Sequence, residues 1–185
     1  DVNISRESLS AASEVNGVVD HVNSSIFLKN ISIYQRRGYM ATSLTEIKNK
    51  SDVIIVFSNN LFKTYPRLMT KFLATKDSFS TNPNNKKIYV IGNKRNNKRD
   101  CDIKDKRITY IDFDNKNISD LLNSFTNKKN ISSVKKKFFD ELLTSIENSK
   151  YLSILWATSE LHNYKECDEI IYNISAYVVA LNKTM

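Results

Sequence analysis

Glycine and proline are scarce in this chain, three and two among 185 residues. Gly17, Gly38 and Gly92 each stand alone, so a phosphate-cradling loop of the GxGxxG or Walker type is excluded. No GxSxG occurs, which removes the nucleophile elbow. Cysteine is as sparse. Cys101 and Cys167 lie far apart without a CxxC partner, so neither zinc nor redox spacing is present. The two histidines, His21 and His162, form no His–His or Cys–His ligand pair at helical spacing. No apolar run reaches the ~20 residues that span a bilayer, and no secretory signal opens the sequence.

What is there is globular. Hydrophobic residues make up 41% and charged residues 26%, enough for one domain with a real core. Two free thiols suit a reducing cytoplasm, and both read as passive residues. The chain starts at Asp1 and closes on a helix-like run, as expected of a piece of a longer subunit. The formal net charge is +8. The basic residues are dispersed and interleaved with acids such as Asp100, Asp102 and Asp105, and aromatics do not alternate with them. A nucleic-acid role for the basic loop 93–107 is therefore the weaker reading.

Strand and helix patterns alternate along the chain. Residues 5–16 carry Leu9, Ala12 and Val15 on one stripe, with Gly17 as the expected C′ residue. "VVDHV" reads as a short strand, and a helix follows that ends at Gly38. Ser43 and Glu46 form a capping box before the unbroken apolar strand 52–58. Pro66 interrupts the helical spacing of Leu61 to Phe72. Residues 75–85 read as a loop, "KKIYVIG" as a strand, 93–107 as an exposed loop and "ITYIDFD" as a strand near the edge. A helix capped at Asn117, an amphipathic helix within 132–150, the strand "YLSILWATS" and a helix over 164–182 complete the order. The expectation is an α/β fold: one Rossmann-like three-layer sandwich over 1–185, with a mainly parallel sheet and helices on both faces.

Ligands of such sheets bind at the carboxyl ends of the strands. Those ends carry Asp20-His21, Ser58-Asn59-Asn60, Asn93-Lys94-Arg95 and Ala157-Thr158-Ser159. Asn and Ser there can hydrogen-bond a nucleotide, but they also cap helices, and without glycines capping is the preferred reading. His21 lacks an orienting partner, because Asp20 beside it on a strand points to the other face.

The pieces "GVVDH", "QRRGYMATSLTEIKNKSDVIIVFSNN", "YPRLMTKF", "KKIYVIGNKRN" and "YVVALNKTM" occur in an order that resembles the pterin-holding subunit of formylmethanofuran dehydrogenase. The bacterial relative of that subunit, in the formyltransferase/hydrolase complex, is similar too. The resemblance covers nearly the whole chain but only part of the family's chain. It implies a molybdopterin oxidoreductase-like domain with a Rossmann-like parallel sheet.

In the dehydrogenase branch the resemblance implies a tungsten or molybdenum pterin held by a Cys-His pair after the "VVD" strand. Counted from the shared Gln35, that pair falls on Ile26 and Phe27. An isobutyl-type side chain has no lone pair to offer a metal. The resemblance thus implies the cofactor-free branch: a non-catalytic structural subunit. Its complex transfers and hydrolyses a formyl group in tetrahydromethanopterin-linked one-carbon metabolism and formaldehyde oxidation. The expected partners are the other subunits of a cytoplasmic hetero-oligomer, without a membrane. Neither catalytic residues nor a metal or cofactor are expected. The alternative is an active oxidoreductase whose molybdopterin guanine dinucleotide, with Mo or W, is bound through Asn59, Asn93 and Arg95. The second alternative is a basic nucleic-acid-binding module.

Overall fold

A computed structural model describes residues 2–18, 24–38, 40–79, 82–101, 103–128, 136–162 and 164–183. Their elements are α1 (Val2–Glu14), α2 (Ser24–Arg37), α3 (Leu44–Lys50), β1 (Val53–Phe57), α4 (Leu61–Thr64) and β2 (Lys87–Gly92). Then come α5 (Lys94–Cys101), β3 (Ile108–Asp112), α6 (Ile118–Asn127), α7 (Lys136–Glu147), β4 (Leu152–Trp156), α8 (Thr158–Leu161) and α9 (Cys167–Lys183). The four strands form one parallel sheet in the order β3-β2-β1-β4.

Every residue of β1 is buried, which is why its sequence is apolar without alternation. Successive side chains still leave on opposite faces. Val53, Ile55 and Phe57 pack with α2, α6, α7 and α9, whereas Ile54 and Val56 pack with α3, α4 and α5. The sheet is thus the middle of three layers, as the alternation of patterns predicts. Each fully buried aliphatic side chain contributes roughly 1.5–3 kcal/mol, so the two clusters are the main stabilising term.

Local chemistry sets the ends of the helices. The capping box is formed: the Glu46 backbone N–H donates to Ser43 Oγ at 3.1 Å, and the Ser43 N–H donates to Glu46 Oε2 at 3.2 Å. Gly38 takes the left-handed position after α2, at φ 88°. After α1 that role falls to Asn16 (φ 50°), not Gly17. The Gly17 N–H reaches back to the Ala12 carbonyl at 2.7 Å, and the Asn16 N–H to that of Ser13 at 3.4 Å. The motif is a Schellman turn with asparagine at C′, a residue that tolerates αL.

Other differences follow from tertiary context. Around Pro66 the helical pattern splits into α4 and a π-helical turn, Met69–Leu73. The expected loop 93–107 holds the helix α5, which buries Asn97 and Cys101, keeps Arg95, Lys98 and Arg99 exposed, and tucks most of the Asp100 side chain inside. Before α6 the capping side chain is Asp114, which accepts from the Lys116 N–H at 3.1 Å; Asn117 makes no side-chain cap bond. The expected strand from Val18 to Val22 is not seen at Val18, which is coil and exposed; residues 19–23, His21 included, lie outside the described residues. Among the described residues no helix is long and apolar enough to cross a membrane.

Candidate functional site

The sheet order turns back between β1 and β4. From β1 the chain proceeds to β2 and β3 on one side, and β4 lies on the other. The carboxyl ends of these strands therefore frame a topological switch point, the place where open α/β sheets take ligands.

Ser58 follows β1 and is fully buried. Its hydroxyl donates to Asn97 Oδ1 (3.0 Å) and accepts the Leu61 N–H (3.0 Å). Asn97 Nδ2 donates to the Ser58 carbonyl at 2.6 Å. That carbonyl also lies against Gly92. A Cβ on Gly92 would fall 1.9 Å from it, and φ there is +146°. Only glycine lets the ends of β1 and β2 approach this closely.

Asn59 and Asn60 come next, and their backbone N–H groups converge on Glu160 in α8. Asn59 donates to Oε2 at 2.6 Å and Asn60 to Oε1 at 3.0 Å. Burial pushes the Glu160 carboxyl above the usual carboxylate range, while these two bonds pull it back. An internal carboxylate thus holds the paired amides that a ligand anion takes in many folds of this class.

The asparagine side chains are engaged as well. Asn59 Oδ1 accepts the Asn93 N–H (3.0 Å), and its Nδ2 donates to the Tyr164 hydroxyl (3.2 Å). Asn93 Oδ1 accepts the Asn96 N–H at 3.0 Å, as a helix cap does. An open depression of about 610 Å³ is lined by Asn59, Asn60, Asn93 and Asn96 together with Asp112 and Asp114, and the Asp112 carboxylate accepts the Lys94 N–H at 3.2 Å. Among the described residues no lysine or arginine lines it. Arg95 is exposed on α5 and outside it. The structure therefore brings Asn59 and Asn93 together and leaves Arg95 apart.

The remaining candidates are separate. Ile26 and Phe27 sit in the first turn of α2, and their side chains lie outside the described residues. His162 is exposed just after α8. Cys101 and Cys167 are buried and form no disulfide, and burial pushes the Cys167 thiol up, which suits an inert sulfur. Among the described residues no three His, Cys, Asp or Glu side chains gather to hold a metal ion.

Sequence reading missed two groupings. Glu160 was invisible because its partners lie a hundred positions away. The second joins β2 to α7: Lys87 Nζ donates to Ser145 Oγ (3.0 Å), which lies 2.8 Å from the Tyr89 hydroxyl. A Ser-Lys-Tyr set can activate a nucleophile, but Tyr89 and Ser145 are buried and neither the rim depression nor the cleft beside β4 opens on them. It serves as a buried hydrogen-bond network.

No family model matches this chain, and no curated protein does. A solved structure matches its fold. That structure is the formyltransferase/hydrolase complex from Methylorubrum extorquens, in complex with methylofuran. The match has a TM-score of 0.69 at 14% identity, and covers 97% of this chain and 47% of the other. At that identity the likeness speaks for the fold alone. The chain spans about half the length of the chain it matches.

The dinucleotide that the sequence resemblance offers as an alternative meets this chemistry at the rim. A dinucleotide presents a diphosphate, which favours free backbone N–H groups and cations. Here the Asn59 and Asn60 amides face Glu160, and the open depression carries two aspartates. This donor set does not fit a diphosphate.

Proposed function

We propose that this chain is a non-catalytic structural element of a formyltransferase/hydrolase-type complex of one-carbon metabolism, corresponding to its molybdopterin oxidoreductase-like subunit. Its partners would be the other subunits of that hetero-oligomer, and it would carry no metal or pterin. One observation carries the reading: the Glu160 carboxylate seated on the Asn59 and Asn60 amides at the switch point. Those amides are not left free for an anionic ligand, because they tie the loop after β1 to α8. The fold likeness to a chain of the Methylorubrum complex supports the assignment, and so does the resemblance that puts Ile26 and Phe27 at the family's metal-ligand positions.

Purification of the protein with its partners from its native host, followed by elemental analysis, tests this. The expected outcome is Mo and W far below one atom per chain, together with a formyltransferase-type and an amidohydrolase-type subunit. Stoichiometric metal, or an oxidised pterin fluorescence signal from the assembled complex, would overturn it.

A further inference from the structure

The outer edge of β4, which no described strand covers, lies on the opposite side of β1 from the asparagine rim. β4 is bonded to β1 on one side only. The Tyr151 carbonyl accepts the Asp52 N–H at 3.2 Å, so the alternation of a strand turns the peptide groups of Leu152, Ile154 and Trp156 outward. Among the described residues no backbone or side-chain group bonds to them from that side. The strand reads Leu-Ser-Ile-Leu-Trp. It has no lysine, proline or bulge, the devices that normally blunt an exposed edge.

This edge forms the floor of a cleft of about 590 Å³. One wall comes from α2 and α9, the other from the segment before α3 and from the stretch around α4. Its lip carries Met40, Leu44 and Tyr65, which are 54%, 41% and 56% exposed although apolar or aromatic. Asn30 lines the same cleft, and its side-chain Oδ1 is buried with no hydrogen-bond partner. An unpaired ladder and an apolar lip are two separate deficits, and one added strand would satisfy both.

Charge selects the kind of strand. Lys150 is exposed at the start of β4, and among the described residues no carboxylate lines the cleft. With a formal charge of +8 on each chain, a second copy would bring like charge to the same place.

We propose that the outer edge of β4 is a docking site for an extended strand of a different polypeptide, apolar at alternate positions and carrying a carboxylate that meets Lys150. This docking is independent of the formyl-transfer reading, since it rests on the sheet edge and its cleft alone.

The test uses the intact chain and a capped six-residue peptide alternating valine and threonine, with an aspartate at one end. Amide exchange is followed residue by residue. Peptide addition should slow exchange at Leu152, Ile154 and Trp156 by about tenfold or more. Tyr65→Asp, on the exposed lip, leaves the sheet intact and should weaken the effect by about tenfold. Ile154→Pro removes one outward N–H and should abolish the effect, with β1 exchange checking that the sheet survives. A peptide ending in lysine should bind less well than the aspartate form. The proposal is overturned if the outward amides are already protected in the free monomer, or if the peptide leaves them unchanged. It is also overturned if they become protected through self-association alone.

Discussion

At the residue scale, two positions show how one side chain sets a local limit. Gly92 stands where β2 ends against the Ser58 carbonyl, with room for a hydrogen and none for a methyl group. Gly92→Ala should cost more than about 3 kcal/mol in chemical denaturation, because backbone atoms must move. Gly38→Ala, at φ +88° in open space, should cost only about 1–2 kcal/mol. Equal losses would show that the close approach at Ser58 is not decisive. Lys86 sets a different limit. It is 1% exposed, and its ammonium donates to the Lys48 carbonyl at 2.9 Å, near the end of α3. Burial, with Arg107 and Lys48 nearby, pushes it down from 10.5 to about 8. Between those two values the unfolded chain holds a proton that the folded chain has released, so folding gains as pH rises through the window. Measured against Lys86→Met, the wild type should gain on the order of 2 kcal/mol between pH 8 and 10.5. A flat difference would place Lys86 in contact with water.

Between elements, Glu160 is the clip. Its carboxylate ties the loop after β1 to α8, which follows β4, so two neighbouring strands end in one hydrogen-bonded junction. Glu160→Ala strands two N–H groups and should cost about 1–3 kcal/mol. The pH dependence has the opposite sense to that of a salt-bridged carboxylate. Because burial raises the folded value above 4.5, the folded chain binds the proton first. The gap between wild type and Glu160→Gln should therefore move in favour of the wild type as pH falls from neutral towards 4.5, and move back as pH rises. A gap that widens with rising pH would show that the two N–H bonds outweigh burial. Elements also differ in how much of them was legible. The box of Ser43 and Glu46 is a local pattern and formed as read. The cap before α6 moved to Asp114, because a short 3-10 turn over Asn115–Asn117 precedes the helix. The basic stretch after β2 became α5, because Asn97 and Cys101 found burial there that composition does not announce.

For the whole molecule, the order of patterns was enough for the layered α/β architecture. Apolar runs such as "VIIVF" need cover on both faces, and only intervening helices provide it. The order of strands was not legible. That β4 lies beside β1, with no described strand on its outer edge, depends on which pairing buries most area. The same placement explains why the rim became a junction. Asn59, Asn93 and Glu160 are distant in sequence, and only the sheet brings them within hydrogen-bond reach.

The sequence by itself determined the type of each long element, the apolar faces and the lack of phosphate-binding glycines, because these depend on spacing and composition within a few residues. Tertiary structure alone decided the hydrogen bonding of the rim and the position of β4 at the side of the described sheet. A hydrogen bond or an unpaired peptide group depends on which chain segment arrives opposite it, and local pattern carries no record of that.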